Sequence, residues 1–230
     1  MASPALVLSR VERVTLNGLA YDGLKRALLS GRLEPGAVLT LRQLAEELGT
    51  SMMPVREAVS RLAAENALAV LPNRGIVVPE LDAASAADIW DLRINLEGEA
   101  SARAAMHATA AEIEQIRTLC DDVERAAYDA DLHRVLECNN AFQFAIYQAA
   151  GSPVLLRLIE ILRMQSVPHC TAALRVMVAE RPPYFANAWT NHAALVGAIQ
   201  QRDQAAARRI KQDDLREFRT FVNSVRDLKA

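Results

Sequence analysis

Two short helices joined by a tight turn are the predicted feature that most constrains the fold. Leu41–Leu48 is an amphipathic run that ends at Gly49, a residue suited to the left-handed conformation that closes a helix. A second helix is predicted over Thr50–Glu65, where Ser51 can cap the free amides and Pro54 fits the first turn. Helix, glycine-containing turn and helix are typical of a helix-turn-helix, whose second helix can enter a DNA major groove.

The second helix separates its apolar residues from its basic ones. Val55, Val59 and Leu62 recur at spacings of four and three, which gives one packing face. Arg56 and Arg61 lie on the opposite side. We therefore expect the apolar face to pack inward and the basic side to face DNA.

A β-hairpin is predicted directly after these helices. Two aliphatic runs, Leu68–Leu71 and Ile76–Val78, flank a turn that contains Asn73, Arg74 and Gly75. A hairpin in this position is the wing of a winged helix, and Arg74 at its tip can reach phosphates or a narrow minor groove. In an isolated hairpin such an arginine is about as often a plain exposed turn residue, but its place after a helix pair favours DNA contact.

The chain after Pro79 is predicted to be helical throughout. Between Asp82 and Gly151 the chain contains no proline and a single glycine, Gly98, and the aromatic content of 5% favours closely packed helices over a β-sandwich. We predict about six helices, one interrupted at Pro168 and the last from about Asp203 to Val225. Helix starts are indicated at Ser85, Thr109, Asp131 and Ser152.

These patterns predict a mainly α fold in three parts. Residues 1–15 form a flexible N-terminal arm, and residues 16–79 form a winged helix-turn-helix DNA-binding domain that begins with a helix over Leu16–Ser30. Residues 80–230 form an all-α six-helix bundle.

Charge and cysteine content bound the location and the partners. The formal net charge is −2, so DNA binding would need local clusters of arginine rather than a basic chain. Three cysteines without a CxxC pair fit a reducing compartment. The sequence shows no signal peptide and no apolar run of about 18 residues, so we expect a cytoplasmic protein without a membrane partner.

The motifs PVREAVSRL and PNRGIVV, within Leu41–Pro79, resemble the DNA-binding domain of the GntR family of bacterial transcription regulators. The helical remainder is similar to the FCD effector domain of the FadR subfamily, and six helices indicate its VanR-like branch. Asp91-Leu92-Arg93 with Glu97, and Asn139-x-x-Phe142-Gln143, resemble two motifs of that domain. The resemblance implies a homodimer that binds a double-stranded DNA operator of two-fold character and responds to a small-molecule effector, with residues 80–230 as the effector-binding and dimerisation domain. Most members of the family are repressors, so the resemblance also implies a repressor.

The resemblance also implies DNA contacts by Arg42 and Arg56. This sequence departs from the family pattern at one place in the second helix. Met52 and Met53 stand where the family usually has Arg-Thr. Methionine cannot make the bidentate guanine contact that is worth roughly 1–3 kcal/mol of discrimination, although it can touch a thymine methyl group. The candidate DNA-binding residues are Arg42, Ser51, Met52, Met53, Pro54, Arg56, Arg61, Asn73, Arg74 and Gly75.

A second departure concerns a divalent metal that many FCD domains hold. The matching positions are Asn139, Gln143, His192 and Asp214. One imidazole, one carboxylate and two neutral amides suit zinc or nickel poorly, and an oxygen-preferring ion would bind weakly to one carboxylate. We therefore predict no certain cofactor, and a divalent metal stays an open alternative.

Several polar residues fall on apolar stripes of the predicted helices. Each one singly is more often a satisfied core residue, but several on separate stripes of one bundle favour a shared polar cavity. We expect this cavity to bind a small organic ligand, with Arg93 as the anchor for a carboxylate. The candidate effector residues are Arg93, Asn139, Gln143, His169, His192 and Asp214.

Two rival classes of function stay open beside a ligand-responsive regulator. A helical metal-dependent enzyme is one, although the chain contains no GxGxxG, GxxxxGK[ST], HExxH or GxSxG motif. A DNA-binding protein without an effector is the other. The size of the helical part, roughly twice that of the winged helix, and its polar stripes argue against that second class.

Overall fold

The computed structural model describes residues 16–72, 75–129, 131–181 and 183–227. In these ranges the chain forms nine helices and one two-stranded antiparallel sheet, which confirms the predicted mainly α fold. The predicted N-terminal arm, residues 1–15, lies outside the described residues.

Three helices and a hairpin form the winged helix-turn-helix: α1 (Leu16–Leu29), α2 (Leu41–Glu47), α3 (Met52–Ala64), β1 (Ala69–Val70) and β2 (Ile76–Val77). Thr40 begins α2 with a capping box that includes Gln43. Gly49 adopts a left-handed conformation with φ of 61° and turns the chain toward α3, as the sequence predicts.

The hairpin is tied to the segment that leads into α2. Ala69 lies opposite Val77, and Val70 lies opposite Ile76. On its other side, Ile76 exchanges two backbone hydrogen bonds with Leu39, of 2.7 and 2.8 Å. The wing is therefore held to the helix pair by its backbone.

Six helices follow: α4 (Ala83–His107), α5 (Ala110–Tyr128), α6 (Leu132–Ala149), α7 (Pro153–Glu180), α8 (Pro183–Gln200) and α9 (Gln204–Asp227). The predicted caps at Thr109, Asp131 and Ser152 are present. The most extensive contacts between helices are those of α4 with α9 and of α5 with α6.

Two predicted details of these helices are wrong. Helix α4 is capped by Asp82, whose carboxylate accepts a hydrogen bond from the amide of Ser85 (2.8 Å), so Ser85 is not the cap. Helix α7 continues through Pro168. The proline removes one helical hydrogen bond, but Val167 and Cys170 beside it pack into two separate cores, and this burial outweighs the local preference.

Helix α7 belongs to both hydrophobic cores. Its Met164 and Val167 pack into the core of the winged helix. Its Ile159, Cys170 and Leu174 pack into the larger core of the helical bundle. The two parts of the fold therefore share one helix.

Polar contacts reinforce this boundary. Lys25 of α1 pairs with Glu160 of α7 at 3.2 Å. The amide nitrogen of Asn140 in α6 donates to the carbonyl oxygen of Leu29 (2.6 Å). Three further contacts join Arg157 to Glu65, Arg157 to Tyr21 and Gln165 to Glu65.

Candidate functional site

The exposed side of α3 is the first part of a candidate DNA-binding surface. Met52 and Met53 are 52% and 66% exposed at the beginning of the helix, and Arg56 is exposed one turn further on. Pro54, also predicted to contact DNA, is the third residue of the helix and is buried. The structure thus places the two methionines and Arg56 on one accessible surface, with Pro54 behind them.

Ser51 lies at the N-cap position of α3 but forms no capping hydrogen bond, contrary to prediction. A capping side chain bonds to the amide of the second or third helical residue. The third residue of α3 is Pro54, which has no amide hydrogen. Ser51 is exposed beside Met52, which keeps it on the candidate surface.

The two remaining helical arginines lie in different surroundings. Arg42 is 82% exposed and pairs at 2.9 Å with a glutamate one turn along α2, an exposed pair that exchanges easily for a phosphate. Arg61 lies over the ring of Tyr21 (3.7 Å to the centroid) and pairs with Glu65 at 3.4 Å. It is about 140° around the helix from Arg56. The structure therefore places Arg61 near the helical bundle, away from the other candidates.

The predicted wing residues are only partly described. Asn73 and Arg74 lie outside the described residues. Gly75 is buried, and its carbonyl oxygen accepts a hydrogen bond from the amide of Leu71 (2.8 Å). Gly75 therefore closes the hairpin through its backbone and is not exposed for contact with DNA.

A polar cavity lies inside the helical bundle. Its free volume of about 70 Å³ for water-sized groups has room for several waters or a small organic acid. His169 lies elsewhere, because its ring points to the domain boundary and donates to the carbonyl oxygen of Pro79 (3.1 Å). The other predicted effector residues line the cavity together: Arg93, Asn139, Gln143, His192 and Asp214.

Glu97 is the centre of a buried ion cluster at this cavity. Its fully buried carboxylate accepts hydrogen bonds from Arg93 Nε (2.7 Å) and from the hydroxyl of Tyr147. Lys211 Nζ and Arg163 Nη1 lie 3.5 and 3.6 Å away. Burial alone would raise the pKa of Glu97, but Arg93, Lys211 and Arg163 outweigh it and hold this pKa well below its usual range. Glu97 is therefore an anion that holds three cations together.

Lys211 reaches the same cluster from α9. Its side chain is 2% exposed, and Nζ donates to Gln143 Oε1 (2.7 Å) and lies 3.8 Å from Asp214 Oδ2. Burial lowers the pKa of Lys211, and the carboxylates of Glu97 and Asp214 partly offset that fall. Arg163 and Arg93 lower the pKa of Lys211 further, whereas its three oxygen-bearing neighbours, Gln143, Glu97 and Asp214, favour the ammonium form.

The cluster has one positive charge in excess. Burial lowers the pKa of His192 to about 4, despite the opposing effect of nearby Asp214, so its imidazole is neutral near neutral pH. An uncompensated buried charge is unfavourable, which favours an anion in this cavity. The charged members of the described part of the cluster are three cations and two carboxylates: Arg93, Arg163, Lys211, Glu97 and Asp214.

Four buried polar atoms of the cavity wall have no hydrogen-bond partner within the described ranges: Arg163 Nε, Trp189 Nε1, His192 Nδ1 and Asp214 Oδ1. Buried polar groups are nearly always hydrogen-bonded. Two of the four atoms are donors and one is a carboxylate oxygen. Water or a ligand with both kinds of group would satisfy them.

Arg93, the predicted anchor for a carboxylate, is occupied by protein groups. Its Nε donates to Glu97, its Nη1 donates to the hydroxyl of Ser166 (3.1 Å), and its guanidinium lies 4.7 Å from the ring centroid of Trp90. Arg93 therefore holds Glu97 in place. Arg163 also lines the cavity, and its buried Nε has no hydrogen-bond partner among the described residues, so Arg163 is the better candidate to meet a ligand.

Sequence reasoning missed Arg163, Lys211 and Tyr147. Each falls on the inner stripe of its helix; Lys211, for example, precedes Leu215 and Phe218 at helical spacings. The stripe test that found Asn139 and Gln143 would have found them too. Long basic side chains are usually assigned to the surface, because their stems can be buried while the charge reaches water.

An exposed helix-turn-helix with a wing, joined to a helical bundle around a polar cavity, defines a DNA-binding protein with a separate ligand-binding part. Comparison with known families agrees with this class. The model for bacterial regulatory proteins of the gntR family matches residues 17–78, and the model for the FCD domain matches residues 88–217. The chain belongs to the GntR family of bacterial transcription regulators and carries an FCD effector-binding domain.

Two curated relatives cover most of the chain. It is 31% identical to the HTH-type transcriptional regulator McbR of Escherichia coli K12 over 199 residues, which are 86% of this chain and 89% of McbR. It is 27% identical to the HTH-type transcriptional repressor GlaR of the same organism over 204 residues, 85% of this chain and 90% of GlaR. These relatives are regulators, not enzymes.

The fold is similar to the solved structure of E. coli McbR/YncC. The TM-score is 0.83 at 29% identity, and the match covers 92% of this chain and 99% of that one. None of the described helices is both long enough and apolar enough to cross a bilayer.

Proposed function

We propose that this protein is a cytoplasmic, ligand-responsive repressor. It binds a two-fold operator as a homodimer, through residues 16–79, and changes its DNA affinity when a small organic carboxylate enters the cavity of residues 80–230. The proposal rests on a buried cavity whose charged residues have one positive charge in excess. One of these residues, Arg163, is hydrogen-bonded through Asn140 to Leu29 of the winged helix. The relatives McbR, a regulator, and GlaR, a repressor, support it.

A small carboxylate fits the cavity in charge and in hydrogen bonding. A monocarboxylate balances the single excess charge, and Arg163 Nε and Trp189 Nε1 offer it donors. Asp214 Oδ1 can accept from a hydroxyl or amine of the same ligand. The remaining wall is largely apolar: Val135, Leu136, Leu174, Met177 and Phe218.

A short chain of hydrogen bonds connects this cavity to the winged helix. Arg163 Nη2 donates to Asn140 Oδ1 (2.8 Å), and Asn140 Nδ2 donates to the carbonyl oxygen of Leu29, the last residue of α1 (2.6 Å). Helix α1 packs against α3 in the same core. A ligand that binds Arg163 therefore alters the restraint on α1. Its effect on DNA affinity equals its differential affinity for the two arrangements.

Asn140→Ala is expected to bind both operator and effector but to lose most of the coupling between them. The substitution removes both bonds of the chain without touching α3. The ratio of operator affinities with and without effector, about 5–150-fold in typical regulated proteins, should fall toward one. Fluorescence anisotropy with labelled operator measures this ratio. Asn191→Ala, which removes only a bond to Glu217 (3.3 Å), is the control; an unchanged ratio in Asn140→Ala would reject the connection.

Selection from a random DNA pool tests the DNA-binding half of the proposal. The full-length protein should recover one inverted-repeat sequence, and analytical ultracentrifugation should show two chains on it. A screen of organic acids by thermal shift, followed by release from the recovered operator, tests the effector half. Recovery of no preferred sequence, or release by no acid, would count against the corresponding half.

Met52→Arg is expected to change the sequence that this selection recovers. Arginine at the exposed beginning of α3 can form a bidentate contact to guanine worth about 1–3 kcal/mol, which methionine cannot form. Met106→Arg adds the same charge at another exposed methionine, on α4, and should recover the wild-type sequence. If Met52→Arg also recovers the wild-type sequence, Met52 does not read the operator.

A further inference from the structure

The ammonium of Lys211 lies among the residues at which the family resemblance implies a divalent ion. Its Nζ donates to Gln143 Oε1 (2.7 Å) and lies 3.8 Å from Asp214 Oδ2. A third oxygen, Oε2 of Glu97, is 3.5 Å away. The four implied positions are Asn139, Gln143, His192 and Asp214.

These residues do not fit a divalent metal. They offer one imidazole, one carboxylate and two neutral amides, whereas zinc and nickel prefer several nitrogen or sulfur ligands. An ion bound to Gln143 would share its amide oxygen with the ammonium of Lys211, and two buried positive charges at such a distance repel strongly. Within the described ranges no group of three His, Cys, Asp or Glu could hold a metal ion.

We propose that Lys211 takes the place of the metal ion and that its ammonium, together with the guanidinium of Arg163, receives the carboxylate of the effector directly. The inference rests on the proposed function and makes effector binding independent of metal. It also explains the neutral amides at Asn139 and Gln143, because a fixed ammonium does not need the anionic ligands that a divalent ion requires.

Both cations have donors left for a ligand. Lys211 has three N–H groups, of which one is used at 2.7 Å; its carboxylate neighbours at 3.5 and 3.8 Å lie beyond the usual hydrogen-bond distance. Arg163 uses Nη2 on Asn140, and its Nε has no hydrogen-bond partner in the part of the chain that the structure describes. Both side chains line the cavity and are almost fully buried.

The first test uses zinc and manganese as probes on full-length protein stripped with EDTA. Isothermal titration compares the wild type, the double variant Asn139→Asp/Gln143→His, and the same double variant with Lys211→Met. The triple variant should bind one ion per chain about a hundredfold more tightly than the double variant, since a buried like charge is removed. The wild type should show no zinc or manganese binding that depends on His192, so the titrations of the wild type and of His192→Ala should agree.

The second test uses acetate as the probe, with chloride at equal ionic strength as the control and EDTA present throughout. Thermal shift and the intrinsic tryptophan fluorescence, to which Trp189 of the cavity wall contributes, report binding. Acetate should stabilise the wild type, and Lys211→Met should weaken its binding about tenfold, the effect of losing one charge-assisted hydrogen bond. Arg216→Met removes an exposed cation from the same helix, α9, and should leave acetate binding unchanged.

The outcomes separate this inference from the proposed function. Zinc binding by the wild type that His192→Ala abolishes, or equal zinc binding by the double and triple variants, would overturn it. Acetate binding only when metal is added would overturn it and leave a carboxylate-responsive regulator intact. No acetate binding in either condition would overturn the carboxylate part of both. If the triple variant fails to fold by circular dichroism, the wild type, His192→Ala and the double variant still decide the metal arm.

Discussion

Glu97→Gln lowers the free energy of unfolding of the helical bundle by about 3–5 kcal/mol, the usual effect of removing one partner from a buried ion pair. The substitution keeps the volume and shape of the side chain but removes the negative charge that Arg93 Nε contacts at 2.7 Å. Arg163 and Lys211 lose their nearest common carboxylate as well. Arg93, Arg163 and Lys211 then stay buried, and of the two carboxylates of the cluster only Asp214, which lies 3.8 Å from Lys211, keeps its charge. Urea denaturation followed by far-UV circular dichroism measures the change.

The matched control removes a carboxylate from the same bundle at the surface. Asp213→Asn opens an exposed pair with Arg216 (2.7 Å) and should change the free energy of unfolding by less than about 1 kcal/mol. If the two variants lose equal stability, the cluster around Glu97 does not hold the bundle together.

Arg56→Ala is expected to abolish detectable operator binding. Arg56 is the exposed arginine on the accessible side of α3, and a homodimer would use it in both half-sites. One lost base or phosphate contact weakens binding by about 1–3 kcal/mol, so two together reduce affinity by about a hundredfold or more. Gel-shift titration with the selected operator measures the loss, and the melting temperature should stay the same because the side chain is exposed.

Arg216→Ala is the control for Arg56→Ala. It removes an exposed arginine from α9, and so tests whether any loss of positive charge lowers DNA affinity. We expect wild-type affinity and an unchanged dependence on salt concentration. If Arg56→Ala binds the operator as tightly as Arg216→Ala does, α3 is not the element that reads DNA.

The winged helix could be predicted closely because its signals are local. The left-handed glycine at Gly49 and the alternation of aliphatic and turn residues around Gly75 each depend on a few neighbouring residues. Pro54 also weakens the predicted cap at Ser51, because it occupies one of the two positions whose amides a capping side chain can bond.

The cavity could be predicted only in part. Asn139 and Gln143 stood out because they interrupt an apolar stripe, and the structure brings them together with His192. The pairing of Glu97 with Lys211 joins residues more than a hundred positions apart, and no local pattern encodes it. Arg93 lines the cavity, and its partner Ser166 lies on α7, 73 positions away, so no local pattern predicts this contact.

The shared helix α7 has a consequence for engineering new operator specificities. Exchanging residues 16–79 with those of a relative would break the fit around Met164 and Val167, which complete the core of the winged helix from the far side of the chain. A functional chimera must therefore include the relative's residues at both of these positions of α7 together with its winged helix. The structural boundary of the winged helix therefore includes one face of α7 and does not coincide with a single peptide bond.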